Sequence, residues 1–110
     1  MVFRKLEEFS EGTILDHVPT AAGVYIIYKS NGQPVYVGCS RRNIRARLLC
    51  HRRGNGNRKI AEKINKSKFK FEWEIMLSVE QAEAQLIKAL GTRKYFNLRL
   101  ETDPVDRYGD

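Results

Sequence analysis

The pattern of apolar and polar residues predicts β-strands in two stretches of the chain. Residues 23–29 and 34–38 are rich in β-branched and aromatic side chains, and Asn31-Gly32 lies between them. An Asn-Gly pair in that setting favours a type I′ turn, because both central residues of that turn have positive φ. Residues 69–77 alternate strictly, as in a strand with one buried face. The pattern therefore predicts a β-hairpin and a later third strand.

Helical periodicity follows the hairpin. Asn43 is a favourable N-cap, and Ile44 and Leu48 share one face of the helix that it opens. The Gly/Asn run at residues 54–57 interrupts this helix. A second, very basic helix is predicted from about residue 58 to residue 65.

A third helix follows the last predicted strand. Ser78 and Gln81 have the spacing of a capping box, which opens a helix near residue 79. Apolar residues recur along it every three or four positions, and it ends near Gly91. Residues 95–100 have the composition of an extended segment.

These elements predict a single α+β domain. A small central antiparallel sheet of about three strands, with the hairpin first, is flanked by helices. We expect residues 1–22 to form an N-terminal arm or short helix, residues 23–100 the domain, and residues 101–110 a polar C-terminal tail. A chain of 110 residues suits one compact domain with one core.

The positive charge of the chain is concentrated in one segment. The whole sequence carries a net charge of +7. Residues 39–70 contain twelve Lys and Arg against one acid, a net +11, which leaves −4 for the rest of the chain. A polarisation of this kind predicts a polyanionic partner, most simply a nucleic acid. The alternative is a solvated basic helix face.

Two further features concern the compartment. The sequence has no apolar run long enough to cross a bilayer and no N-terminal apolar stretch typical of a signal peptide. Its two cysteines, Cys39 and Cys50, do not make a disulfide framework. We therefore expect a cytoplasmic protein with free thiols and no membrane partner.

Tyr25 and Tyr36 are predicted to project from the same face of the hairpin. With a two-residue loop, Tyr25 lies opposite Gly38 and Tyr36 lies opposite Ile27. Because glycines lie opposite and near the two phenols, we expect open space there and a pocket floor formed by the tyrosines. Ordinary amphipathic core tyrosines are the alternative.

The helix after the hairpin carries a second group of candidates. Arg47 and His51 are four residues apart, so they share a helix face close to the apolar stripe. Arg45, Arg52 and Arg53 point more outward. One arginine and one histidine are thus directed toward the hairpin, while the outer arginines stay available to a polyanion. A purely structural role is the alternative for His51.

The last predicted helix contains an acid on its packed side. Glu83 precedes Leu86 and Ile87 by one turn, and a partly buried carboxylate needs a cation, a hydrogen-bond donor or a metal ion. Glu80, one turn earlier, is the competing acid. Asn97 follows after a short connection and could be a plain polar strand residue.

Four short motifs follow one another along the chain. They are Gly23-Val24-Tyr25 with Tyr36-Val37-Gly38, the helix from Asn43 through Arg47, the run Glu83-x-x-Leu86-Ile87-Lys88, and the ending Tyr95-Phe96-Asn97. In this order, over about residues 20–100, they resemble the motifs of the GIY-YIG nuclease family. Arg47 is the aligned arginine and Arg45 the fallback, because one extra residue precedes the helix. Cys39 stands where many relatives have lysine.

The resemblance implies a divalent-metal-dependent endonuclease that hydrolyses DNA phosphodiester bonds with Mg²⁺ or Mn²⁺. Cleavage is expected to leave 5′-phosphate and 3′-hydroxyl ends. The residues that it makes catalytic are Tyr25, Tyr36, Arg47, His51, Glu83 and Asn97, and those of its structural motif are Gly23 and Gly38.

The resemblance also implies roles for these residues. Glu83 ligates the metal ion, and one of the two phenols orients or deprotonates the attacking water. A free phenol has a pKa near 10, so the phenol needs a nearby cation such as Arg47 to lower that pKa. His51 could hold the phosphate or relay a proton, and Asn97 supports the site.

DNA is then the expected partner of the basic segment. The side chains expected to follow its phosphate backbone are Arg45, Arg52, Arg53, Arg58, Lys59 and Lys63. The chain leaves little room for a separate recognition domain, so we expect loops, a protein partner, a homodimer or a region outside this sequence to supply specificity. Structure-specific or nearly nonspecific cleavage is the alternative.

Two other interpretations compete with the nuclease. A non-catalytic nucleic-acid-binding module with the same fold accounts for the charge, although not for the joint presence of the candidate catalytic residues. A zinc site made of Cys39, Cys50, His17 and His51 is the other interpretation, although the sequence has no Cys-x₂-Cys pair.

Overall fold

The structure is a computed structural model that describes residues 6–63 and 68–95, except for the side chains of Arg58, Lys59 and Lys94. The elements are β1 (Glu7–Glu8), α1 (Glu11–His17), β2 (Gly23–Lys29), β3 (Pro34–Ser40), α2 (Ile44–Arg52), α3 (Arg58–Lys63), β4 (Phe69–Ile75), α4 (Val79–Leu90) and a 3₁₀ helix (Thr92–Lys94). In this part of the chain, no helix combines the length and apolarity needed to cross a membrane.

The described strands form one antiparallel sheet in the order β1-β4-β2-β3. The predicted α+β class, with an antiparallel sheet and flanking helices, is confirmed. The sheet has four strands rather than about three, because β1 adds to the outer edge of β4 with Glu7 opposite Phe71. This short strand and α1 come from the weakly patterned N-terminal segment. The Ser10 side chain caps α1 by accepting a hydrogen bond from the Thr13 N–H.

Helices cover both faces of the sheet. One face carries Tyr25 and Phe71 and packs against apolar side chains of α1, α2 and α3, among them Ile14, Leu48 and Ile60. The other face packs against α4 through separate small clusters. The strand alternation therefore places the two tyrosines and α4 on opposite sides of the sheet.

The hairpin turn differs from the predicted type I′ turn. Among its residues only Gly32 has positive φ, at 93°. Gly32 N–H donates to the Lys29 carbonyl and Lys29 N–H donates to the Gln33 carbonyl, which makes a loop of three residues. A longer loop shifts the pairing by one residue. A bulge at Val35 shifts it back, so that Tyr36 still lies opposite Ile27, as predicted.

The helix signals in the sequence placed these helix ends correctly, and only one predicted capping interaction is absent. Asn43 caps α2, because its Oδ1 accepts the Ala46 N–H at 3.0 Å. Gly91 ends α4 in the left-handed conformation, with φ at 66°. Helix α3 begins at Arg58 as predicted. Helix α4 begins at Val79 with Ser78 as its N-cap, as predicted, but Ser78 makes no side-chain capping hydrogen bond, so the capping box itself is not formed.

Strand β4 is shorter than the alternating pattern predicts. Ile75 pairs with Gly23, the first residue of β2, so no neighbouring strand lies beyond it. Leu77 is 91% exposed as a result, although the pattern places it on the buried face. The end predicted for the second helix near residue 65, the extended segment from 96 onward and the tail at 101–110 lie outside the described residues.

Candidate active site

Tyr25 lies at the centre of the site and is fully buried. It is directly opposite Gly38 on β3, as the sequence predicts. A Cβ built on Gly38 would lie 2.3 Å from the Tyr25 hydroxyl oxygen, so only glycine lets the phenol lie over the β3 backbone. The expected open space at this glycine does not exist, because the tyrosine side chain fills it.

Gly23 meets the same kind of constraint at the start of β2. A Cβ there would lie 2.5 Å from the Glu74 carbonyl oxygen and 3.2 Å from the Ile44 side chain. Glycine thus permits close approach of β4 and α2 to the first residue of the strand. The two motif glycines serve packing rather than an empty cavity.

Three rings meet beside Gly38. The ring centroids of Tyr25 and Tyr36 are 6.3 Å apart, and that of His51 lies 5.7 Å from the first and 5.1 Å from the second. The histidine meets both phenols edge-on. The two tyrosines share one face of the hairpin, as predicted, and α2 supplies the third ring.

His51 is held by a hydrogen bond at each ring nitrogen. Its Nε2 lies 2.7 Å from the Tyr25 Oη, and its Nδ1 accepts the backbone N–H of Asn57 at 3.1 Å. Burial, followed by the charge of Arg47, lowers the pKa of His51 from 6.5 to about 3. The imidazole is therefore neutral at physiological pH. It is also 0% exposed, so its burial argues against the expected direct contact with a phosphate.

The two candidate arginines of α2 have different surroundings. Arg47 is buried, and its charge acts on both Tyr25 and His51. Arg45 instead donates from Nε to the carbonyl of Val18 at 2.6 Å, which ties α2 to the end of α1. The structure therefore brings Arg47, and not Arg45, into electrostatic range of Tyr25.

The protonation of Tyr25 differs from the sequence expectation. Burial, and then the neighbouring Tyr36, raise the pKa of Tyr25 well above 10. Arg47 lowers it, in the expected direction, but burial has the larger effect. Tyr25 is therefore a neutral phenol at physiological pH.

Glu83 approaches the site from the other side of the sheet. It lies on α4, which packs mainly on the edge strand β3, and it is only 4% exposed. Its charge contributes to the raised pKa of Tyr25, so the two groups lie within electrostatic range. The competing acid Glu80 is half-buried and pairs with Arg41. The predicted inward tilt of Glu83 is confirmed.

The residues expected to contact phosphates are not all available. Arg53 donates to both carboxylate oxygens of Glu11, at 3.0 and 3.4 Å. Arg52 is half-buried, and its Nε has no hydrogen-bond partner among the described residues. Lys63 is exposed. Arg53, which bonds to Glu11, and Arg45, which bonds to Val18, show that some of the basic segment serves the fold. The Arg58 and Lys59 side chains lie outside the described residues.

Of the metal-binding candidates from the sequence, the carboxylate of Glu83 is the one that stays. Within residues 6–63 and 68–95, no group of three or more His, Cys, Asp or Glu side chains could hold a metal ion. That range includes His17, His51, Cys39 and Cys50, so the zinc-site interpretation has no support. Asn97 lies outside the described residues, and its role stays a prediction.

Sequence reasoning missed two residues next to His51. The run 54–57 indicates only a helix break in the sequence, yet the Asn57 backbone N–H donates to the His51 imidazole. A Cβ on Gly56 would lie 2.2 Å from its Nδ1. A Gly-x-Gly spacing directly after the helix that carries His51 is the sequence signal that could have indicated this close contact.

Comparisons with known proteins bear on the same elements. Neither the search of curated proteins nor the search of solved structures returned a significant match. A family model described as the GIY-YIG catalytic domain matches residues 21–96, which include both tyrosine strands, the arginine helix and Glu83. The chain therefore belongs to the GIY-YIG nuclease family.

Proposed function

We propose that this protein is a divalent-metal-dependent endonuclease that hydrolyses DNA phosphodiester bonds and leaves 5′-phosphate and 3′-hydroxyl ends. The observation that carries the proposal is the buried Tyr25–His51 hydrogen bond, with Arg47 and Glu83 in electrostatic range of the phenol. Burying these polar groups together opposes folding, and proteins tolerate such groups chiefly at functional sites.

Glu83 fits a metal ion that keeps most of its water. A carboxylate oxygen is the type of ligand that Mg²⁺ and Mn²⁺ prefer, and Mg²⁺ commonly binds to one or two carboxylates plus substrate phosphate. Glu83 would hold the ion at the start of α4. When bound, the ion supplies polarisation of the scissile phosphate and stabilisation of the leaving 3′-oxygen.

The remaining residues orient the attacking water and stabilise negative charge on the phosphate. Tyr25, a neutral phenol, orients the attacking water through hydrogen bonds, and Tyr36 is the other candidate for that contact or for removal of its proton. The Arg47 guanidinium stabilises the extra negative charge of the pentavalent phosphate. Asn97 is retained as a supporting residue in this proposal.

DNA reaches this site along the face that carries α2 and α3. Lys63 is exposed there, and Arg52, Arg58 and Lys59 belong to the same two helices. Contacts of this kind hold the phosphate backbone and do not distinguish bases. A protein partner or a homodimer remains our proposal for the source of specificity.

The competing proposal is a nucleic-acid-binding module without catalysis. It accounts for the exposed basic side chains equally well. It does not account for a histidine, an arginine and a glutamate buried around Tyr25. The nuclease is therefore the better explanation of the site.

Plasmid nicking by the Glu83→Gln variant tests the proposal. We expect the Mg²⁺-dependent nicking rate to fall at least about 1000-fold, because metal-ion stabilisation of a transition state contributes several kcal/mol. DNA binding should persist, since Glu83 is buried and acidic. Adding EDTA to the unchanged protein should abolish nicking as well.

Glu80→Gln is the matched control. It removes an acid one turn earlier on the same helix, at a surface pair with Arg41. Its nicking rate should stay within about threefold of the unchanged protein, the scale of a surface substitution. Full nicking by Glu83→Gln, or DNA binding without any nicking by the unchanged protein, would contradict the proposal.

A further inference from the structure

The turn between α2 and α3 is tied to both helices. Gly54 N–H donates to the His51 carbonyl at 3.0 Å, and Asn55 N–H donates to the Cys50 carbonyl at 2.9 Å. At the other end, the Asn57 side chain caps α3 by accepting the Ile60 N–H at 3.1 Å. The turn therefore has a defined position relative to the last residues of α2.

Gly56 of the same turn lies in close contact with the imidazole of His51. A Cβ on Gly56 would lie 2.2 Å from Nδ1 and 2.7 Å from Cε1. The φ of Gly56 is not positive, so glycine is needed here for space rather than for backbone freedom. The next residue, Asn57, then points its backbone N–H at Nδ1.

This contact has a consequence for the proton on the ring. A nitrogen that accepts a backbone N–H has no proton of its own, and a neutral imidazole carries one proton. The proton must then be on Nε2, the atom that lies 2.7 Å from the Tyr25 oxygen. His51 is the donor in that bond, and the Tyr25 hydroxyl is left to donate elsewhere.

We propose that the Gly54–Asn57 turn is a positioning element that holds His51 in the Nε2–H tautomer, so that His51 donates to Tyr25 and the Tyr25 proton is directed at the reacting water. The role in cleavage rests on the proposed nuclease function, whereas the tautomer does not. His51 in this state does not take the proton of Tyr25. Its N–H donates to the phenol oxygen and leaves Tyr25 neutral, with its own O–H as the hydrogen-bond donor that orients the water.

Nitrogen NMR of the full chain labelled with ¹⁵N-histidine tests the tautomer directly. The chain has only two histidines, and the His17→Gln variant assigns the signals. We expect Nε2 of His51 to resonate as a protonated nitrogen and Nδ1 as an unprotonated one. The opposite pattern in the unchanged protein would overturn the proposal without any activity measurement.

Two substitutions test whether the turn is the cause. Asn57→Pro removes the N–H, and Asn57→Ser keeps both the N–H and a capping oxygen. We expect the Nε2–H signature to be lost in the first and kept in the second. Circular dichroism checks that each variant is folded. An unchanged signature in folded Asn57→Pro would overturn the causal role of the turn.

Single-turnover nicking tests the role in the reaction. Gly56→Ala should slow the cleavage step by on the order of 100-fold, the scale of a misplaced catalytic group, with little change in DNA affinity. The same substitution should have little further effect in a His51→Ala background, where the clash is absent. Gly12→Ala, at a glycine with no atom within 4 Å, is the control for the alanine itself.

The outcomes separate the two proposals. Equal slowing by Gly56→Ala with and without His51 would overturn the positioning role. A protein that shows the Nε2–H signature but no nicking would overturn the nuclease proposal while it supports the tautomer.

Discussion

Burial sets the pKa values of single side chains in the site. His51 is buried between Tyr25 and the Asn57 N–H, and burial lowers its pKa to about 3. Tyr25 is buried against Gly38, and burial raises its pKa. The only group in this contact that keeps a positive charge at all relevant pH values is Arg47. The charged groups of the site are therefore Arg47 and Glu83, whereas Tyr25 and His51 are polar and uncharged.

The buried neutral histidine makes a prediction about acid stability. Between pH 6.5 and about 3 the unfolded chain binds a proton at His51 that the folded chain does not. The free energy of unfolding contributed by this residue is thus fully present above pH 6.5 and is lost as the pH falls toward 3. The slope can reach about 1.4 kcal/mol per pH unit. We expect His51→Gln to remove that slope in urea unfolding from pH 7 to pH 4.

The matched control is the other histidine. His17 is exposed and pairs with Glu7 at the surface, so His17→Gln should keep the steep acid dependence. The comparison is made between slopes, because carboxylates titrate in all three proteins. An equal slope in His51→Gln and the unchanged protein would show that His51 is protonated in the folded state.

Helix α4 packs on the sheet mainly through β3 and also through β2. It begins without a side-chain cap at Ser78, and Gly91 ends it. Its buried side chains contact two small clusters, one of which joins Ile87 to Ile26 and Val37. These contacts hold the helix, and with it Glu83, against β2 and β3.

Truncation of Ile87 tests this attachment. Ile87→Ala should lower the free energy of unfolding by about 2–5 kcal/mol, since it removes a buried side chain and leaves a cavity. Leu77→Ala is the control, because Leu77 is 91% exposed, and its effect should stay within about 0.5 kcal/mol. Urea unfolding measures both. A loss below about 1 kcal/mol for Ile87→Ala would mean that the cluster of Ile87, Ile26 and Val37 does not anchor α4.

Over the molecule as a whole, the basic segment divides between the two faces of the sheet. Residues 39–70 run from the end of β3 through α2 and α3 into β4. Helices α2 and α3 cover the face of Tyr25, whereas Lys70 alternates with Phe69 and Phe71 and so projects from the opposite face. We therefore expect position on the sheet, rather than membership of the segment, to decide which cations contact DNA.

The salt dependence of DNA binding tests this division. Lys63→Gln should weaken binding and reduce the slope of log K against log salt by about 0.9, the value for one lost phosphate contact on duplex DNA. Lys70→Gln removes an exposed lysine from the same segment but from the other face, and should leave the slope unchanged. Equal slopes for the two variants would contradict a DNA-binding face on α2 and α3.

Much of the fold was predictable because its signals are local. The strand alternation, the Asn43 cap and the Gly91 end depend on residues a few positions apart. The turn type was predicted wrongly because the sheet accommodates a longer loop by a bulge at Val35, and Asn-Gly alone does not show this. Glu83 could be placed on a packed helix face, although its proximity to Tyr25 needed the position of α4 on β3.

The amino-acid order alone established the hairpin with two tyrosines on one face, an inward Glu83 and a concentrated positive charge. Folding established the rest, because it depends on contacts between distant residues and on loss of water. Tyr25 and His51 are 26 positions apart, and only their burial raises the pKa of the phenol and lowers that of the imidazole. Packing also decided the partners of the two arginines, because Arg47 acts on Tyr25 while Arg45 donates to the Val18 carbonyl. The sequence gives the type of side chain at each position, whereas the protonation and the partners of that side chain depend on the residues packed around it.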